Sequence, residues 1–234
     1  MPQDNRLSLI EELPHIVKNG RKVVEKILSR LEGEAQITLQ TNEYVLPKPK
    51  ADVFNPNEYL EFNPHTWHNR LIYGDNLLAM QGLLLGDKST GLESMRGKID
   101  LIYIDPPFDS KADYRTKITL PSNDITQKPN TLEQFAYSDT WRKGTISYLE
   151  MIYPRLLLMR ELLSPRGSIY VHLDWHLGHY VKILLDEIFG RENFRNEIVW
   201  RYGKMANSTK SFPRNHDTIL FYTMNGGGGD RTYF

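Results

Sequence analysis

One carboxylate, two prolines and an aromatic ring stand in a row at Asp105-Pro106-Pro107-Phe108. They follow the apolar, β-branched run Ile99-Asp100-Leu101-Ile102-Tyr103-Ile104. Such a run reads as a strand, and proline, lacking an N–H, cannot continue a central ladder, so the strand must stop there. The stop leaves a carboxylate, the exposed carbonyl of Pro106 and the ring of Phe108 together at a sheet edge. Two acceptors and a flat apolar face suit a planar base, gripped by its exocyclic amine and stacked on its ring. A strand with a Pro-Pro turn and a surface aromatic would have the same composition, so the neighbouring residues must decide.

Those neighbours set an α/β pattern. Leu71-Ile72-Tyr73 reads as a short strand ended by Gly74-Asp75-Asn76, with a helix over 77–85 that Asp75 or Asn76 can cap. Residues 109–134 are polar and loop-like. A helix is predicted over 145–163, and Pro165 and Gly167 turn the chain into a strand over 168–173. A helix over 176–189 is stopped by Gly190, and further strands fall at 197–201 and 218–222. Alternation of this kind predicts a largely parallel, doubly wound sheet whose ligands sit at the carboxyl ends of the strands. Asp75, Asp105 and Asp174 all fall there. Capping the next helix is the favoured role for Asp174. Asp75 can cap and also face a shared crevice. Asp105 is followed by prolines and a polar loop, so capping explains it poorly.

Ahead of this pattern, residues 7–31 repeat apolar side chains at helical spacing, interrupted at Pro14, and read as a packed N-terminal cap. Residues 34–68, with Pro47, Pro49, Pro56 and Pro64, read as an extended arm. The expected division is therefore a helical extension over 1–33, a Pro-rich arm over 34–68 and an α/β domain over 69–234.

Composition sets limits. The 234 residues include 40% hydrophobic and 25% charged side chains, enough for a sizeable core and ordinary for a soluble globular protein. No run approaches the roughly 20 apolar residues of a membrane span, and residues 1–5 do not form a signal peptide. Absence of cysteine excludes disulfides and thiolate metal sites and fits the cytoplasm. His65, His68, His172, His176 and His179 have no carboxylate spacing suited to zinc, so no metal is expected. Lys+Arg and Asp+Glu balance at 29 each, so nucleic-acid affinity must be local. Between Arg191 and Asp217, six basic side chains stand against three acidic ones, with Trp200, Tyr202 and Phe212 interleaved. Arg201, Lys204, Lys210 and Arg214 are the candidate phosphate contacts. A solvated loop of mixed charge would look the same.

Together the motifs resemble the adenine-specific DNA methyltransferases of the permuted, beta-type order, including Type III modification subunits. The resemblance runs through Arg70-Leu71-Ile72-Tyr73-Gly74-Asp75-Asn76 and Leu101 to Tyr114, then Ala136 to Trp141 and Tyr148-Leu149. It continues through Gly167 to Asp174, Ile188 to Phe194, Ile198-Val199-Trp200 and His216 to Tyr222, about two-thirds of the chain. It implies an incomplete, doubly wound Rossmann-like methyltransferase sheet carrying an N-terminal helical extension. It implies S-adenosylmethionine as cofactor and double-stranded DNA as partner, with a restriction subunit or a second copy as further partners.

By this resemblance Asp105 and the Pro106 carbonyl, positioned by Pro107, accept from the N6 amine, and Phe108 stacks on the extruded base. Asp75, Asn76, Trp141 and Tyr148 would border the cofactor. Cytosine-N4 enzymes of this kind usually carry Ser in place of Asp105, so Asp favours adenine. A non-catalytic DNA-binding remnant and a cytosine-N4 or RNA amino-methyltransferase of the same fold stay open. The family's Phe-x-Gly-x-Gly cofactor loop does not occur in the sequence, and Gly226 to Gly229 reads as linker. The resemblance therefore implies the N-terminal part of a longer enzyme, binding cofactor weakly on its own.

Overall fold

The computed structural model describes residues 8–33, 69–87, 91–107, 116–119, 124–127, 144–203, 212 and 214–225. Its helices are α1 (Leu9–Leu31), α2 (Asn76–Leu85), α3 (Thr145–Leu162) and α4 (Gly178–Phe189). Its strands are β1 (Ile99–Ile104), β2 (Thr116–Thr119), β3 (Asp124–Gln127), β4 (Leu163–Asp174), β5 (Phe194–Arg201) and β6 (His216–Thr223). The order in the main sheet is β1-β4-β6-β5.

The α/β layering follows the sequence pattern, but the sheet is mixed. β1 and β4 are parallel, whereas β6 runs antiparallel to both β4 and β5. The reason lies in the connections. β4 and β5 point the same way because α4 carries the chain between them. No helix is assigned among the described residues between β5 and β6, so β6 returns in the opposite sense, and parallel neighbours need a long crossover.

Strand pleating sorts the sheet into two faces. Ile102, Ile104, Ile169, Val171, Leu173, Leu220 and Tyr222 meet Tyr148, Leu149, Ile152 and Leu156 of α3 and Val181, Leu184 and Leu185 of α4 in one core cluster. The opposite face carries Leu101, Tyr103, Tyr170, His172, Asp174, Asp217 and Phe221, with Tyr170 and Phe221 stacked at 4.4 Å.

Several local expectations are corrected. Residues 71–73 form no strand, and Leu71 is 92% exposed. An extended segment becomes a strand only when a neighbour supplies its ladder. β1, the nearest candidate, forms its ladder with β4 alone among the described strands. Pro165 and Gly167 lie inside β4 rather than in a turn before it, and the irregular register between Ile99 and Leu101 absorbs them. The polar stretch 109–134 contains the antiparallel pair β2–β3. α1 runs through Pro14 without a break. Proline there removes one early intrahelical bond, and the capping box of Ser8 and Glu11 secures the start.

α1 is part of the core. Ile16, Gly20, Val24 and Ile27 form its buried stripe, and a Cβ at Gly20 would overlap the Tyr153 ring edge. Tyr153 is fully buried and cannot swing away. Gly20→Ala is therefore expected to destabilise the protein by about 1–3 kcal/mol despite alanine's better helix propensity. Urea unfolding checks this, and a stabilised variant would show that α1 is not seated on α3 in this way.

Candidate active site

The carboxyl ends of β1 and β4 and the start of β6 bring five polar side chains to one corner of the sheet. Asp105 follows the last residue of edge strand β1, and its side chain is 55% exposed. His172, two residues before the end of β4, is only 16% exposed in its side chain. Its Nδ1 lies 3.7 Å from Asp105 Oδ1, and its Nε2 lies 3.5 Å from Asp217 Oδ2. Nδ1 also shares a hydrogen bond of 2.9 Å with the Tyr103 hydroxyl. Tyr202 donates to Asp217 Oδ1 at 3.3 Å.

Electrostatics follow this crowding of carboxylates. Burial and then the nearby charge of Asp105 push the Tyr103 hydroxyl above its ordinary pKa. Tyr202 is raised by burial, then by Asp217 through charge and hydrogen bond, and then by Asp174. Both phenols therefore keep their protons at neutral pH and remain donors beside the carboxylates.

The three strand-end aspartates do different things. Asp75 Oδ1 accepts from the backbone N–H of Leu77 at 2.8 Å and of Leu78 at 3.2 Å, capping α2. Asp174 Oδ1 accepts from His176 at 3.1 Å and Leu177 at 3.0 Å, holding the turn into α4. Asp105 is followed by Pro106 and Pro107, so the N–H two residues on does not exist.

Of the residues expected beside a cofactor, Asp75 is exposed and faces Arg155, whose guanidinium is pushed down by burial and held up by the Asp75 charge. Asn76 Oδ1 accepts from Arg155 Nε at 2.6 Å, which ties α2 to α3. Tyr148 is a correction: at 0% exposure it belongs to the core. Its helical position faces the sheet, and burying an aromatic ring there outweighs any surface role. Trp141, like Phe108, Lys204 and Lys210, lies outside the described residues.

Arg201 ends β5, exposed. The Arg214 guanidinium stacks on Trp175 with Cζ 3.6 Å from the ring centre. A cleft of about 290 Å³ opens beside them between α4 and the β5–β6 edge, walled by Trp175, Lys182, Glu197, Arg214 and His216. β5 is three strand steps from β1, so Arg201 lies about 14 Å across the sheet from Asp105, whereas Trp175 and Arg214 flank the end of β4 and the start of β6.

Sequence reasoning missed His172, Asp217 and Tyr103 as members of the corner. Alternation along the strands held a signal, since residues 103 and 105, and 172 and 174, must share faces. The pairing that adds Asp217 depends on the antiparallel insertion of β6, which periodicity does not show.

The sequence profile of the DNA methylase family matches residues 99–228, from β1 to just past β6, and the chain belongs to that family. It is 37% identical over 156 residues to the Type II methyltransferase M.EcaI of Enterobacter cloacae, covering 66% of this chain and 29% of that one. It is 28% identical over 239 residues to the Mod subunit of the Type III restriction-modification enzyme EcoP15I of Escherichia coli, covering 89% and 34%. The StyLTI Mod subunit of Salmonella typhimurium is 29% identical over 174 residues, covering 70% and 25%. The chain thus spans about a third or less of the length of these relatives.

Proposed function

We propose that the protein transfers a methyl group from S-adenosylmethionine to the N6 amine of adenine in double-stranded DNA. The carrying observation is Asp105 itself: an exposed strand-end carboxylate denied a capping role by Pro106 and Pro107, in a chain of the DNA methylase family. An amine is drawn to acceptors. Asp105 would take one N6 hydrogen and the Pro106 carbonyl the other, turning the nitrogen lone pair toward the incoming methyl. Holding that geometry is worth several kcal/mol of the barrier, as for other oriented reactions. The carboxylate need not act as a strong base, because the amine loses its proton more readily once methylated. Phe108 would stack on the extruded base, for which only a ring face is needed.

Bound cofactor would supply an electrophilic methyl on a sulfonium. Asp75 suits that partner, since its exposed carboxylate retains acceptor capacity for ribose hydroxyls while Oδ1 caps α2. The kinship with Mod subunits supports a restriction subunit as a partner of the whole protein.

The test is label transfer. With the full-length protein that carries this chain, tritium from methyl-labelled S-adenosylmethionine should enter duplex DNA containing adenine and should not enter a duplex of guanine and cytosine alone. No incorporation into any duplex would overturn the reading.

The rim of Arg201 and Arg214 would follow the phosphate backbone. Replacing both with alanine is expected to reduce the slope of log affinity against log salt by about 2, at about 0.9 per lost phosphate contact. Fluorescence anisotropy across a salt series reads this slope directly, and an unchanged slope would remove both residues from the interface.

A further inference from the structure

We infer that His172 is the positioning residue for Asp105, fixing the direction in which its carboxylate presents itself to the target amine. The inference rests on the proposed role of Asp105 as acceptor.

Two observations meet here. The first is what Asp105 lacks. Asp75 and Asp174 are oriented by backbone N–H groups two and three residues on. Pro107 cannot donate, so the i+2 donor that helps hold the other two is missing for Asp105. Among the described residues, His172 is the side chain nearest to this half-exposed carboxylate that could orient it.

The second is what His172 has. It sits on β4, an inner strand of the sheet, and its side chain is 16% exposed. Its imidazole is held on Nδ1 by the hydrogen bond of 2.9 Å with the Tyr103 hydroxyl, and Nε2 lies 3.5 Å from Asp217 Oδ2. Asp217 is in turn held by Tyr202. The fixed edge of this ring faces Asp105 Oδ1 at 3.7 Å. That separation is longer than a hydrogen bond. A small rotation of the exposed carboxylate closes it, and catalytic contacts commonly tighten only when substrate arrives. This requires the tautomer with the proton on Nδ1, which then donates to the Tyr103 oxygen and, after that rotation, to Asp105 Oδ1; Oδ2 is left to accept from the amine. Among the described residues, charged and titratable groups beside His172 include Tyr103 and Asp105 from the β1 side and Asp217 from β6, with Asp174 on its own strand and Tyr202 behind Asp217.

A positioning role predicts a specific kinetic pattern. His172→Ala should lower kcat for DNA methylation by about 10- to 100-fold, the scale of a misplaced reacting group, with KM for DNA changed less than about twofold. His172→Gln, whose amide can donate toward Asp105, should recover part of kcat. Tyr103→Phe, which removes the hydrogen bond on Nδ1, should show the same split more weakly. A role confined to stability would instead lower the fraction of active enzyme and leave turnover per active site unchanged, which active-site titration detects.

A second readout needs no activity. The nitrogen shifts of His172, measured by NMR on protein labelled at histidine, should move in Asp105→Asn. Shifts that stay put would overturn the inference even if His172→Ala failed to fold. If the wild type methylates DNA and His172→Ala keeps kcat within twofold, the inference fails alone. If the wild type transfers no methyl group, the proposed function fails, and the NMR result still reports whether the imidazole engages Asp105.

Discussion

Asp105→Ala is expected to abolish methyl transfer, lowering the single-turnover rate by at least about 10²–10³-fold, the usual loss when a preorganised polar partner of the reacting group is removed. The fold should survive. The Asp105 side chain is 55% exposed and follows the last residue of an edge strand. Removing it opens no cavity, and a surface change of this kind moves stability by no more than about 0.5 kcal/mol. Affinity for DNA should be largely kept, because the proposed phosphate contacts, Arg201 and Arg214, are side chains other than Asp105. The expected result is therefore a protein with an unchanged melting temperature and DNA affinity but no product. Rates like those of the wild type would take Asp105 out of the mechanism.

Leu156→Ala should have the largest effect on stability, about 2–5 kcal/mol. Leu156 is fully buried on α3, inside the cluster that joins Ile16 of α1, Ile169 and Val171 of β4, and Leu184 and Leu185 of α4. The cost combines lost apolar contact with a cavity that these crowded neighbours cannot fill. Since a domain of this kind has only about 5–15 kcal/mol in hand, the variant should unfold at a clearly lower urea concentration. The slope of its transition should be unchanged. A shift of less than about 1 kcal/mol would mean that α3 does not organise the core.

Much of the fold and the placement of Asp105 at a strand end are legible in the sequence because their signals are local. A β-branched run broken by two prolines specifies both β1 and the exposure of Asp105 without reference to anything distant. The caps at Asp75 and Asp174 follow from the apolar helices just after them. Less legible were features set by partners far along the chain. Residues 71–73 have strand composition, yet composition cannot supply a neighbouring ladder. Tyr148 could be read as a crevice wall until α3 was seen to press that face onto the sheet. His172 looked like one member of a scattered histidine set. Its importance emerges only when β6, more than forty residues later, pairs antiparallel with β4 and brings Asp217 to the second ring nitrogen.

The most direct test of the central claim is the identity of the methylated base. The gene's complete reading frame would be expressed in a host without its own DNA methylation, and the genomic DNA digested to nucleosides and analysed by mass spectrometry. The arrangement of Asp105 and Pro106 predicts N6-methyldeoxyadenosine, lost when Asp105→Ala is expressed at the same level. N4-methyldeoxycytidine alone, or N6-methyldeoxyadenosine that persists in the Asp105→Ala strain, would contradict it.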